Sequence, residues 1–364
     1  MKTAIGFLAL ALAAQSAHAA GETKPAAPAP KAAPAKPVAA GAAAVKPAPI
    51  AEAAKPVDAC ILKLLAARKA DPAAAPAASP GAADQDAAYL AYEGGKYLTA
   101  LSLAEAAASR GNPQAHTLVA RIHDEGLGVP KDAITAARWY ARGAQLCDVP
   151  ALFAYGLMLA EGRGVGKDRL AAGENLEKAA ISGHALANYN LGLLFLKGDG
   201  KPENPYRAAQ HILYAAEKGI SAAQYDIGSM YLAGVGVATD GGEASRWLNR
   251  AAAAGNTAAQ YDYAVMLLKG LGLEKDKGKA VEYLTAAADK GLPGAQNRLA
   301  NMLKDGVGME KNMIESAKWR ALAKKSGVVD EEMDAMVAKL SKADAQAAEK
   351  AALEWAENKQ VGKP

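Results

Sequence analysis

The chain has 364 residues, of which 51% are hydrophobic but only 5% aromatic, with three phenylalanines in all. Alanine supplies much of the apolar share, a composition that favours packed helices and argues against a β-rich fold. The formal net charge of +4, near +3 once Lys2 is lost with a leader, is mild for this length and gives no electrostatic case for nucleic acid.

Lys2, the apolar run "AIGFLALALAA" at residues 4–14 and "AHA" at 17–19 follow the order of a secretory signal peptide, so residues 1–19 are read as a leader cut after Ala19. The apolar run is too short to span a bilayer, and no other stretch is long enough, so no integral membrane span is expected. The chain is expected to be exported, and periplasmic in a Gram-negative bacterium. Residues 20–56 are Ala, Pro and Lys, with prolines at 25, 28, 30, 34 and 37 that oppose helix and sheet alike. This stretch reads as an extended linker. It is either a plain spacer or a basic tether that touches anionic envelope polymers.

Residues 57–70, "VDACILKLLAARKA", predict a short helix with Asp58 as N-cap and Cys60, Ile61, Leu64 and Leu65 on one face. A second Ala/Pro linker covers 71–80. The helix needs a docking surface, which a Cys60–Cys147 disulfide would provide. The even cysteine count of an exported chain allows that bridge, and two buried free thiols are the alternative. Residues 81–112 predict a helix pair with a tight "GGK" turn, placed as an N-terminal cap.

From residue 113 a repeat dominates. Gly126-x-Gly128 returns at Gly162, Gly198, Gly234, Gly270 and Gly306, always after 36 residues. A phosphate-binding loop occurs once and ends in Gly-Lys-Ser/Thr, whereas Lys131 and Lys167 here precede aspartates. The glycines therefore mark corners. Six residues after each first glycine stands a residue of N-cap type: Asp132, Asp168, Asn204, Asp240, Asp276 or Asn312. A helical pattern precedes each glycine pair and another follows each cap. The second stops at Gly183, Gly219, Gly255, Gly291 and Gly327, with Cys147 in that column of the first copy. Small residues align where helices must approach: Gly156, Gly192, Gly228, Ala264 and Ala300 in one column, and Ala179, Ala215, Ala251, Ala287 and Ala323 in another. One such pair cannot bury its apolar face, but a stack of six can. The repeat region is 113–328, and 329–364 predicts closing helices, with Ser341 an N-cap and Leu353 and Trp355 set to cover the last repeat.

The fourth copy, with Ala223, Ile227, Gly228, Tyr231, Gly234, Gly236, Val237, Asp240, Ala244, Trp247, Ala251 and Gly255, resembles the Sel-one-like repeat (SLR) family, relatives of tetratricopeptide proteins. The resemblance spans residues 113–328, and residues 81–112 look like a degenerate tetratricopeptide pair. It implies an all-α fold, a right-handed α-solenoid that binds a protein or peptide partner, often as an adaptor in signalling or envelope processes. Some cysteine-rich relatives look like penicillin-binding or β-lactam-hydrolysing proteins. That group is the alternative reading as a cell-wall or β-lactam hydrolase, but its repeats each carry a cysteine pair and this chain has two cysteines in total. An envelope tether acting through the Ala/Pro/Lys segment is a further alternative.

In such stacks the first helix of each pair lines the concave face. Thr117, Phe153, Tyr189, Tyr225, Tyr261 and Asn297 share one column there. Leu193 belongs to a column four residues on, and Leu232 and Leu268 to one seven on, which places all three columns on one helical stripe. Phe153, Tyr189, Leu193, Tyr225, Leu232, Tyr261 and Leu268 are the candidate partner-binding residues. The competing role for the tyrosines is to fill space between neighbouring helices.

No catalytic set is legible. His116 and His123 match no zinc spacing, so neither a metal nor another cofactor is expected. There is no Gly-x-Ser-x-Gly elbow and no Ser-x-x-Lys motif. Cys147 would sooner be oxidised than act as a nucleophile in an exported chain. The chain is expected to be a non-enzymatic scaffold.

Overall fold

Each repeat folds as two helices of thirteen residues joined by a seven-residue corner. A computed structural model describes residues 58–69 and 82–361, and the leader and linkers read from the sequence at 1–56 and 71–80 lie outside them. The first helices of the six pairs, called A, are α4 (Pro113–Glu125), α6 (Val149–Glu161), α8 (Ala185–Lys197), α10 (Ser221–Ala233), α12 (Thr257–Lys269) and α14 (Pro293–Asp305). The second helices, called B, are α5 (Ala133–Gln145), α7 (Arg169–Ile181), α9 (Pro205–Glu217), α11 (Gly241–Ala253), α13 (Lys277–Asp289) and α15 (Met313–Lys325). Each A helix packs on its own B helix and on the helix that precedes it in the chain. The described residues contain helices and no strand, so the fold is an all-α solenoid.

The corners explain the glycine pairs. In the fourth repeat Gly234 ends α10 in the left-handed conformation (φ 69°), and its N–H donates to the Met230 carbonyl. Asp240 then caps α11 by accepting from the amides of Gly242 and Glu243 at 2.8 and 3.0 Å. All six predicted B-helix caps make such bonds. Gly236 carries a double constraint. Its φ is +68°, and a Cβ there would stand 2.0 Å from the Pro205 carbonyl oxygen at the start of the preceding B helix. The corner of one repeat thus rests on the helix start of the one before.

The core is continuous along the stack. Ala179, Ala215, Ala251, Ala287 and Ala323 are fully buried. Gly156, Gly192 and Gly228 admit Leu176, Ile212 and Leu248 of the partnering B helix at distances a side chain would block. Burying one such branched side chain contributes about 1.5–3 kcal/mol, and every repeat adds several.

Helices α2 (Ala82–Glu93) and α3 (Tyr97–Ser109) precede the first repeat, with Gly95 turning between them at φ 73°. After the last come α16 (Glu331–Val337) and α17 (Lys342–Val361). The Ser341 hydroxyl accepts from the Asp344 amide at the start of α17. Trp355 packs edge-on against Trp319 of α15, with ring centres 5.9 Å apart. Leu353 differs from expectation: it is 55% exposed, because Ala348 and Ala352 face inward and Leu353 lies one residue round the helix from them.

Helix α1 (Ala59–Lys69) lies against α7. Asp58 accepts from the Cys60 amide at 2.7 Å and pairs with Lys178 of α7 at 2.7 Å. Cys60 and Leu64 turn inward, whereas Leu65 is 38% exposed. A helix resting on one surface buries an i, i+4 stripe narrower than the four-residue face expected from the sequence. Cys60 is joined to Cys147 by a disulfide with Cα atoms 5.6 Å apart. Cys147 has φ 64°, the conformation that glycine supplies at this column in the other repeats.

Candidate partner-binding face

The A helices place the aromatic column on adjacent helices at one register. Phe153, Tyr189, Tyr225 and Tyr261 are each half-buried, and each meets a residue on, or capping, the A helix of the next repeat. The Tyr189 hydroxyl donates to Oδ2 of Asp226 at 2.8 Å, and the Tyr225 hydroxyl donates to Oδ2 of Asp262 at 3.0 Å. Phe153 lies against His184, with ring centres 4.5 Å apart. Tyr261 is covered by the guanidinium of Arg298, 5.8 Å from the ring centre. The polar ends of the column do the same work: Thr117 donates to Asp148 at 2.6 Å and Asn297 donates to Asp330 at 2.8 Å. The column is therefore a clasp between repeats that keeps part of each ring at the surface.

The rest of the stripe divides. Leu232 is 39% exposed and Leu268 is half-buried. Leu193 is 5% exposed and belongs to the interior. Its neighbours Leu191, Leu194 and Phe195 are buried with it, so at this repeat the apolar interior wraps further round the helix than the i, i+4 stripe implies.

Asp226 and Asp262, which the sequence reading did not single out, define the electrostatics of this face. Burial pushes the Asp226 carboxyl up to about 6, against the stabilising hydrogen bond from Tyr189. Asp262 is raised by the same cause, opposed by Tyr225. The same desolvation, together with the adjoining carboxylates, raises both tyrosines. Among the described residues neither aspartate has a cationic partner. The signal was available: the position after that column reads Leu118, Ala154, Asn190, Asp226, Asp262 and Arg298, turning polar from the third repeat onward beside an apolar stripe.

His116 Nδ1–H donates to the Asn112 carbonyl (2.8 Å) and its ring lies tilted against Trp139, which accounts for it as a packed helix-start residue. Among the described residues no group of three or more His, Cys, Asp or Glu could hold a metal, and no helix is long and apolar enough to cross a membrane.

Fold and face together define a helical-repeat protein whose paired helices stack into a single array. The Sel1 repeat model matches residues 113–146, 149–184, 185–220, 221–256, 257–292 and 293–328, and the chain belongs to the Sel1 repeat family. Such proteins are generally protein–protein interaction scaffolds. The crystal structure of a Sel1 repeat protein from Oxalobacter formigenes is 31% identical, covering 68% of this chain and 99% of that one, with a TM-score of 0.59. The structure of c5321, a protective antigen of uropathogenic Escherichia coli strains displaying an SLR fold, is 24% identical, covering 78% of this chain and 72% of that one, with a TM-score of 0.56. The latter likeness speaks to the fold alone. No curated protein matches the chain.

Proposed function

We propose that this protein is an exported, periplasmic adaptor that binds a partner protein or peptide along its A-helix face and performs no catalysis. One observation carries the reading: Phe153, Tyr189, Tyr225 and Tyr261 stand at one register on four consecutive A helices, half-buried and backed by a rigid stack. Aromatic side chains ordered in this way lose little entropy on binding and serve as interface anchors. The leader-like start of the sequence and the Cys60–Cys147 disulfide both suit an oxidising compartment.

Site-specific photocrosslinking in the native host tests this. A benzophenone amino acid replacing Ser229 or Val265, on the A face, should give a discrete adduct, whereas one replacing exposed Glu282 on α13 should not. Adducts from the B face alone would overturn the assignment. Turnover of a chromogenic β-lactam by the purified chain would end the non-catalytic reading.

A further inference from the structure

The A face at repeats four and five has an unbalanced set of polar groups. Asp226 and Asp262 each accept one hydrogen bond, from Tyr189 and Tyr225 through Oδ2. That bond uses the only proton each tyrosine has. What these bonds leave over is acceptor capacity, on the Oδ1 atom of each aspartate and on the phenolic oxygens. No Lys or Arg among the described residues pairs with either carboxylate. Half-buried carboxylates are costly without a counter-charge, and native chains normally supply one.

The same chain shows what completes this arrangement. Asp334 on α16 stands 72 residues beyond Asp262 in sequence, on a helix that begins two residues later than the 36-residue period would place it. There the Arg320 guanidinium donates to Oδ1 at 2.7 Å, Lys324 approaches Oδ2 at 3.1 Å, and the carboxyl is held below its usual range, chiefly by the Arg320 hydrogen bond. At the repeat between, position-matched Arg298 lays its guanidinium over the ring of Tyr261. Both halves of the motif, the carboxylate and the tyrosine ring, thus take a guanidinium where the chain provides one. At Tyr225, Asp226 and Asp262 the chain provides none.

Resting on the A-face reading above, we propose that Asp226 and Asp262 are the recognition carboxylates for an arginine-bearing segment of the partner, with guanidinium groups seated one repeat apart against Tyr189 and Tyr225. Arginine fits better than lysine because its planar fork pairs with a carboxylate while stacking on a ring. General electrostatics does not account for such binding, since the chain's formal net charge is +4 and it repels cations at long range.

Fluorescence anisotropy on the full, disulfide-intact chain tests this with labelled ten-residue peptides of alternating Ala-Arg, Ala-Lys or Ala-Glu. The Ala-Arg probe should bind saturably, the Ala-Lys probe more weakly and the Ala-Glu probe least. The double variant Asp226→Asn/Asp262→Asn keeps an acceptor for each tyrosine hydroxyl and should weaken Ala-Arg binding at least about tenfold. Glu282→Gln on the B face should leave it unchanged. Equal affinity in the double variant, a preference for Ala-Glu, or no saturation with Ala-Arg would overturn the proposal. The crosslinker at Ser229 separates the two levels. Native-host adducts that persist in the double variant would leave the docking face standing and remove the arginine assignment. Loss of adducts from the parent chain would remove the face itself.

Discussion

The hydroxyl of Tyr189 on α8 donates a 2.8 Å hydrogen bond to Asp226 on α10, one repeat plus one residue along the chain. Tyr225 repeats the bond to Asp262 on α12 at 3.0 Å. Three successive repeats are therefore tied A helix to A helix by two such bonds, in addition to the apolar packing between A and B helices. Tyr225→Phe keeps the ring and removes only this bond, so it should destabilise the chain by about 1.5–3 kcal/mol, the range for hydrogen bonds to charged groups. Urea unfolding would measure it, and an unchanged midpoint would mean the bond contributes nothing net. Tyr225→Ala removes ring and bond together, so it should lower both stability and partner capture.

Asp226 makes stability depend on pH. Its carboxyl is pushed up to about 6 when folded, above the ordinary value near 3.9, so the folded chain binds this proton more tightly than the unfolded one. The contribution from this group is fully present below pH 4 and falls away as pH rises to about 6. Asp226→Asn should accordingly be near-neutral at pH 4 and more stable than the parent by about 2 kcal/mol at pH 7.5. Unfolding both proteins at the two pH values decides the sign. A variant less stable than the parent at pH 7.5 would show the charged form to be favoured.

Two corner glycines separate backbone strain from collision. Gly219 has φ +87° with no atom within 4 Å of an added Cβ, so Gly219→Ala should cost about 1 kcal/mol from the backbone alone. Gly236 has φ +68° and an added Cβ would lie 2.0 Å from the Pro205 carbonyl oxygen. Gly236→Ala should cost about 3 kcal/mol or more, because the corner must lift from the preceding repeat. Similar melting temperatures for the two would refute the inter-repeat contact.

The disulfide closes a separation of 87 residues that includes the first repeat. Chain entropy alone would assign such a loop about 4–5 kcal/mol, but α1 can undock without unfolding the stack, so the global loss should be smaller. Cys60→Ser should raise amide exchange in α1 and leave α8 to α15 protected. Protection lost along the whole stack would show instead that α1 is integral to it. The bridge also predicts a change in electrophoretic mobility on reduction that Cys60→Ser abolishes.

Much of the architecture was written in the sequence because its determinants are local. The N-caps at Asp132, Asp168, Asn204, Asp240, Asp276 and Asn312, the left-handed glycines that stop the helices and the alanine columns each act over a few residues, and the 36-residue period aligned them. What only the tertiary structure decided is which side chains meet across repeats. From spacing alone the aromatic column could fill space or face a partner; the structure ties Tyr189 to Asp226 and Tyr225 to Asp262, lays Arg298 over Tyr261, buries Leu193 in the interior and turns Leu65 and Leu353 outward. Those outcomes depend on how far one helix is rotated against the next. Periodicity fixes which residues share a stripe, but burial and the charge state of a carboxyl follow from neighbours 36 or 37 positions away.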